Sequence, residues 1–206
     1  MNPYVIAIAG GTGSGKSMFA NLLEERFEKE VLVLPMDMYY KDQSHLPLVE
    51  RLVSNMDNPH ALDVTLFIEH LRRLSRGMDI EQPIYNFPTH TRNKKTVTLS
   101  SRPVIIAEGL LSFATNELRE MCDLKIYIEV DDDIRLARRI LRDVAEKRSE
   151  TIEASLAQYL SSARPMHKIY VQPQKEFADL IIPWENEDKA AVDVVAARIF
   201  NSLHHS

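Results

Sequence analysis

A three-layer α/β/α fold around a mostly parallel central sheet is predicted by three features of the chain. Short apolar runs alternate with amphipathic ones from end to end. Two of them, Tyr4 to Ala9 and Val104 to Ala107, are continuously apolar, as strands covered on both faces must be. At 206 residues there is chain enough for one such unit and its core, so a single domain over 1–206 is expected.

Each element follows in order. Tyr4 to Ala9 suits the centre of the sheet. Met18 to Lys29 sets Phe19, Leu22, Leu23 and Phe27 at helical spacing, and Val31 to Leu34 is a second strand halted by Pro35. Asp63 is the expected N-cap of a helix over 64–76, with Leu66, Phe67, Leu71 and Leu74 as its buried stripe and Gly77 at its end. Thr96 to Leu99 alternates like an exposed strand, whereas Val104 to Ala107 is a core strand ending at Glu108-Gly109. Leu124 to Val130 is a further strand. Helical patterns over 131–147 and 152–169, a strand at Leu180 to Ile182 and a helix over 188–203 complete the succession.

Composition narrows the functional classes. A net charge of -5 argues against a nucleic-acid coat or a protein held on an anionic membrane. Cys122 is the single cysteine, so no intrachain disulfide forms, and it reads as a small buried hydrophobe. No apolar run approaches the ~18 residues of a membrane span, and the expected location is cytoplasmic.

The chemistry starts at Gly10-Gly11-Thr12-Gly13-Ser14-Gly15-Lys16-Ser17, between the first strand and the first helix. This is G-x-x-x-x-G-K-[ST] in strand-loop-helix context, the phosphate loop of the P-loop NTPase fold. Its backbone N–H groups form an anion nest, the helix opening near Gly15 adds its positive dipole end, Lys16 brings a mobile charge for the β/γ-phosphates, and the Ser17 hydroxyl can ligate Mg²⁺. ATP (or GTP) with Mg²⁺ is the expected ligand.

In such sheets ligands bind beyond the carboxyl ends of the strands, so polar residues at those ends matter most. Asp37 follows the second strand and is the candidate general base, orienting a hydroxyl nucleophile and taking its proton late. Glu108 ends the third core strand, where it either reaches the metal, directly or through water, or caps the next helix. Between 131 and 147, Arg135, Arg138, Arg139 and Arg142 share one helical face, with Ala137, Ile140, Leu141 and Val144 opposite. The arginine face reads equally as a solvated surface or as a phosphate clamp leading into a closing lid.

With these residues in view, the chain resembles the uridine kinase (uridine-cytidine kinase) family from Tyr4 to about Pro183. The resemblance rests on the phosphate loop, on Leu34 to Leu46 with Asp37, on Asp57-Asn58-Pro59-His60-Ala61-Leu62-Asp63, on Pro83 to Arg92, and on Glu108-Gly109, Arg138 to Asp143 and Ala157-Gln158-Tyr159. It implies transfer of the ATP γ-phosphate to the 5′-hydroxyl of uridine or cytidine. It further implies a β-hairpin substrate flap near 80–100 and a helical lid near 143–155. By the same resemblance Asp37 is the base, Asp57 holds the ribose diol, Tyr85 and His90 read the pyrimidine with Phe87 beside it, and Arg139 and Gln158 complete the nucleoside site. Arg142 and the lid face the phosphates. In this chain's lid a lysine lacks the planar fork that holds two phosphate oxygens, so Arg148 and not Lys147 is the expected finger, provided that it swings inward as the lid closes. A homo-oligomer, a tetramer, is implied for assembly. Without the resemblance, Tyr85, Phe87 and His90 read equally as the core face of a hairpin. The chain departs from the family pattern at Glu146-Lys147-Arg148-Ser149, at Met56 and at Trp184-Glu185-Asn186.

Other readings are weaker. A GTPase switch needs D-x-x-G after a strand, which occurs nowhere, and Asn93-Lys94-Lys95-Thr96 lacks the acid of N-K-x-D. A nucleic-acid-dependent ATPase sits poorly with the acidic balance. Phosphoribulokinase-like or pantothenate kinase-like specificity is the nearer rival.

Overall fold

The computed structural model describes residues 2–52, 54–186 and 188–204. The termini of the expected 1–206 unit, Met1 and 205–206, thus lie outside the described residues. In chain order the elements are β1 (Tyr4–Gly10), α1 (Lys16–Phe27), β2 (Val31–Pro35), α2 (Leu48–Leu52), α3 (Val64–Leu74), β3 (Ile80–Asn86), β4 (Thr91–Leu99) and β5 (Val104–Glu108). Then come α4 (Asn116–Glu120), β6 (Leu124–Glu129), α5 (Asp132–Ala145), α6 (Ile152–Gln158), α7 (Arg164–Met166), β7 (Leu180–Pro183) and α8 (Lys189–His204).

Five strands form one parallel sheet in the order β2-β5-β1-β6-β7, and β3 and β4 pair antiparallel in a sheet of their own. The continuous apolar character of β1 is explained by its central place. Val5, Ala7 and Ala9 face one layer with Phe67 and Leu71, while Ile6 and Ile8 face the other with Phe19, Val195 and Ile199. Fully burying such a side chain contributes roughly 1.5–3 kcal/mol, which makes the two-faced strand the best anchored element of the sheet. Because the strands are parallel and in register, Ile8 and Pro35 both pair with Glu108, and Gly10 pairs with Ile128. The ends of β1, β2, β5 and β6 therefore deliver four loops to one edge.

Asp63 caps α3 as expected, its side chain accepting from the Leu66 N–H. One expectation needs correction, and one choice left open by the sequence is decided. The single helix over 152–169 is instead a succession: α6, a π-helical stretch Tyr159–Ala163, α7 and a second π-helical stretch His167–Val171. The apolar stripe of α5 is not its buried side. Leu141 is 72% exposed and Val144 40%, while Arg135, Arg139 and Asp143 are buried. Of the two readings of the arginine face, the solvated one fails at Arg135 and Arg139, where each buried guanidinium finds carboxylate or carbonyl partners, which is the condition for burying charge at all.

Candidate active site

The phosphate loop joins β1 to α1. Gly13 and Gly15 adopt φ +75 and +82, the left-handed region closed to most side chains, and this turns the loop into the first turn of α1. Lys16 and Ser14 are buried, and Lys16 lines a cavity beside the loop. At the end of β5, buried Glu108 accepts from the Ser17 hydroxyl at 3.1 Å on Oε1, while Oε2 has no hydrogen-bond partner among the described residues. Burial lifts the Glu108 carboxyl to about 7, opposed by the charge of Lys16 and reinforced by that of Asp37. A buried carboxylate oxygen left free beside a serine hydroxyl fits a divalent cation. Among the described residues no cluster of three or more His, Cys, Asp or Glu side chains forms a cation cage. A hydroxyl and one carboxylate instead suit Mg²⁺, which takes its other oxygens from water and phosphate.

Asp37 sits half-buried on the 3₁₀ turn Met36–Tyr39 after β2, fixed by fully buried Met36 and Tyr39 on either side. The Tyr39 hydroxyl pairs with His70 Nδ1 at 2.9 Å, and its ring meets Phe67 edge-on. Arg92 of the hairpin ties the turn down further, donating to the Tyr40 carbonyl at 2.6 Å, the Tyr39 carbonyl at 2.8 Å and Asp63 at 3.2 Å. Tyr85 stacks at a tilt against Tyr40, with ring centroids 5.3 Å apart, and meets Phe87 edge-on at 5.2 Å. Tyr85 and Phe87 are thus both hairpin core and cavity wall, so the two readings of the sequence do not exclude each other. His90 takes φ 50, with a buried Nδ1 that has no partner among the described residues. Burial and Arg51 hold its pKa below the ordinary value, so the ring is neutral near pH 7.

On α5, Arg139 donates to Asp143 at 3.2 Å, to Asp57 at 3.3 Å and to Gln158 at 3.1 Å. Arg142 donates to Asp143 at 2.7 Å, and Ser155 of α6 closes on the same carboxylate at 3.1 Å. Arg148 pairs with Glu146 and lies 4.0 Å over the Phe87 ring.

One cavity is lined by Thr12, Lys16, Asp37, Asp57, Tyr85, Phe87, His90, Arg139, Arg142, Arg148 and Gln158. Gly11 instead faces Arg135 and His167 on the far side of the loop, where Arg135 donates to the Thr12 carbonyl at 3.3 Å. Arg135 therefore braces the loop from behind and does not point at its ligand face.

The description "Phosphoribulokinase / Uridine kinase family" matches residues 5–191. The chain belongs to this family. A uridine kinase from Clostridium novyi (strain NT) is 45% identical over 200 residues, covering 97% of this chain and 96% of the relative. A uridine kinase from Bacillus subtilis (strain 168) is 44% identical, covering 100% and 97%. The solved structure of a possible uridine kinase from Bacillus stearothermophilus superposes with a TM-score of 0.61 at 19% identity, over 88% of this chain and 89% of that one, and so speaks to the fold alone. The α/β fold with a central parallel sheet is thus that of the P-loop kinases, and a kinase of this family uses a nucleotide.

The site of this family member also contains residues to which the sequence assigns no role. Tyr40, Met56, Leu110 and Asp143 line the cavity, and Arg92 fastens the hairpin to the Asp37 turn. Asp143 carried a signal, as the one acid within an arginine stripe. Arg92 carried none, because two of its side chain's partners are main-chain carbonyls more than fifty positions away and the third, Asp63, reads as a helix cap.

Proposed function

We propose that this protein transfers the γ-phosphate of ATP to the 5′-hydroxyl of uridine or cytidine in a magnesium-dependent reaction. Relatives named uridine kinase, aligned over nearly the whole chain, support the reaction class. The observation that carries the reading is one cavity lined by Lys16 and Asp37, whose charges both bear on Glu108, and also by Asp57, Tyr85 and His90, which suits one acceptor with a sugar and a flat polar ring.

In this reading the loop amides, Lys16 and Arg142 compensate charge on the transferring phosphoryl group, whose loose transition state gains more from positioned cations than from covalent help. Asp37 orients the 5′-hydroxyl. As the new O–P bond forms and the bond to the β-phosphate oxygen breaks, the proton passes from the hydroxyl to Asp37 and on to solvent. Asp57, held by Arg139, accepts from the ribose diol, and Tyr85 and neutral His90 present polar atoms to the base beside Phe87. Ser17 and Glu108 would hold Mg²⁺, which supplies neutralisation of phosphate charge when bound. The chain from Asp143 to about 155 acts as the lid and the β3–β4 hairpin as the substrate flap. The family resemblance also favours a cytoplasmic homo-oligomer.

The test is a coupled ADP-release assay with an acceptor panel. Uridine and cytidine should be turned over, with the product identified as the 5′-monophosphate. Turnover of ribulose 5-phosphate or pantothenate in their place would assign the site to another branch of the family, and ADP release without an acceptor would make it a hydrolase.

A further inference from the structure

We infer that Ser162 is a positioning residue that sets the orientation of Asp57 and, through it, selectivity for the sugar. The inference deepens the reading of Asp57 as the ribose-diol acceptor and rests on it.

Ser162 lies in the π-helical stretch that follows α6 and is 7% exposed. Its hydroxyl lies 3.0 Å from Asp57 Oδ2 and 2.5 Å from Asn55 Oδ1. The other carboxylate oxygen, Oδ1, accepts from Arg139 at 3.3 Å. Asp57 is thus gripped on both oxygens, by a guanidinium on one side and a hydroxyl on the other. Ser155, Gln158 and Ser162 all look inward from one flank of this segment, onto Asp143, Arg139 and Asp57 respectively. The seam makes the sugar end of the cavity part of one hydrogen-bonded chain that begins at Arg142.

Two consequences follow from hydroxyl chemistry. Ser162 has one proton, so it donates to Asp57 or to Asn55 but not to both in full. Asn55 Oδ1 also accepts from the Asp57 N–H at 3.2 Å, and so turns the backbone that carries the carboxylate. The one Ser162 proton therefore fixes either the Asp57 side chain directly or, through Asn55, the main chain that carries it. Without its hydroxyl, Asp57 keeps Arg139 as its one side-chain donor among the described residues and swings about that contact. A carboxylate that must meet two vicinal hydroxyls at once tolerates such a swing poorly, because misplaced groups lose both hydrogen bonds together.

The test compares Ser162→Ala, Ser162→Thr and Asp57→Asn in steady-state kinetics with uridine, 2′-deoxyuridine and ATP. In Ser162→Ala the uridine KM should rise roughly tenfold, the scale of one lost hydrogen bond to a charged group. The ATP KM should stay unchanged, and the uridine to 2′-deoxyuridine ratio of kcat/KM should fall. Ser162→Thr, which keeps the hydroxyl, should restore the uridine KM. An unchanged uridine KM in Ser162→Ala, or uridine and ATP KM rising together as in a loosened fold, would overturn the inference. If Asp57→Asn abolishes the sugar preference while Ser162→Ala retains it, Ser162 alone is misassigned. If Asp57→Asn also retains it, the reading of Asp57 as the diol acceptor falls, and the inference falls with it.

Discussion

At the scale of single residues, the proposed function divides the side chains of the cavity between two reactants, and their variants should divide likewise. Lys16 is buried within the phosphate loop, so its charge is already desolvated where phosphoryl oxygens accumulate charge. Lys16→Ala should therefore cut kcat by roughly 10²-fold or more, as removal of a preorganised electrostatic contact does. Retention of kcat within about tenfold, measured at saturating ATP, would remove Lys16 from the transition state. Arg148 behaves differently from what its place in the lid suggests. Its guanidinium suits a finger on the phosphates, but it lies over Phe87, which the proposed function sets beside the pyrimidine. A cation over an aromatic face contributes about 0.5–2 kcal/mol depending on desolvation, so Arg148→Ala should raise the uridine KM by roughly three- to thirtyfold and change kcat less. A fall in kcat with uridine KM unchanged would return Arg148 to the phosphates. Lys147, exposed and at φ 55, has no such contact among the described residues, and Lys147→Ala should leave the uridine KM unchanged.

At the scale of elements, α5 carries most of what the sequence hid. Strand runs, the phosphate loop and the Asp63 cap were legible because each depends on neighbours in sequence. The burial of two arginines on α5 was not, since Arg135 and Arg139 are held by Thr12, Val130, Asp57 and Gln158, none of which lies on α5 itself. The π-helical stretches after α6 escaped for a related reason, because they re-aim Ser162 toward Asp57 without changing the apolar period much. Within α5 the buried Asp143 accepts from Arg139, Arg142 and Ser155. Removing one partner of a buried ion pair costs about 3–5 kcal/mol, because the remaining charge is stranded. Asp143→Ala should therefore destabilise the protein by about that amount in urea unfolding, whereas Leu141→Ala, on the exposed apolar side, should stay within about 0.5 kcal/mol. Equal effects of the two would mean that the helix is turned the other way.

At the scale of the whole molecule, parallel strands in register bring the ends of β1, β2, β5 and β6 to one edge, so residues far apart in sequence meet in one cavity. That convergence could be anticipated from the alternation of strands and helices. The hairpin's attachment through Arg92 could not, because main-chain acceptors leave no mark on composition and the Asp63 that joins them already reads as a helix cap. The same packing gives stability a pH dependence. His167, beside the phosphate loop and Arg135, has its pKa lowered from 6.5 to about 4, chiefly by burial and then by the Arg135 charge, with Asp132 opposing. The unfolded chain thus takes up this proton at higher pH than the folded one, so the contribution is fully present above about pH 6.5 and is lost as pH falls toward 4. Thermal melting should show the midpoint falling across that window, and His167→Gln should flatten the fall; an unaltered slope would show that other groups set it. The central claim is that the carboxylate on the β2 turn serves the acceptor and the phosphate loop serves the donor. It is tested most directly by measuring Mg²⁺·ATP binding and single-turnover UMP formation for Asp37→Asn beside the wild type. ATP affinity should be unchanged and the rate lower by roughly 10² or more, whereas weakened ATP binding with normal turnover would place Asp37 on the metal and contradict the account.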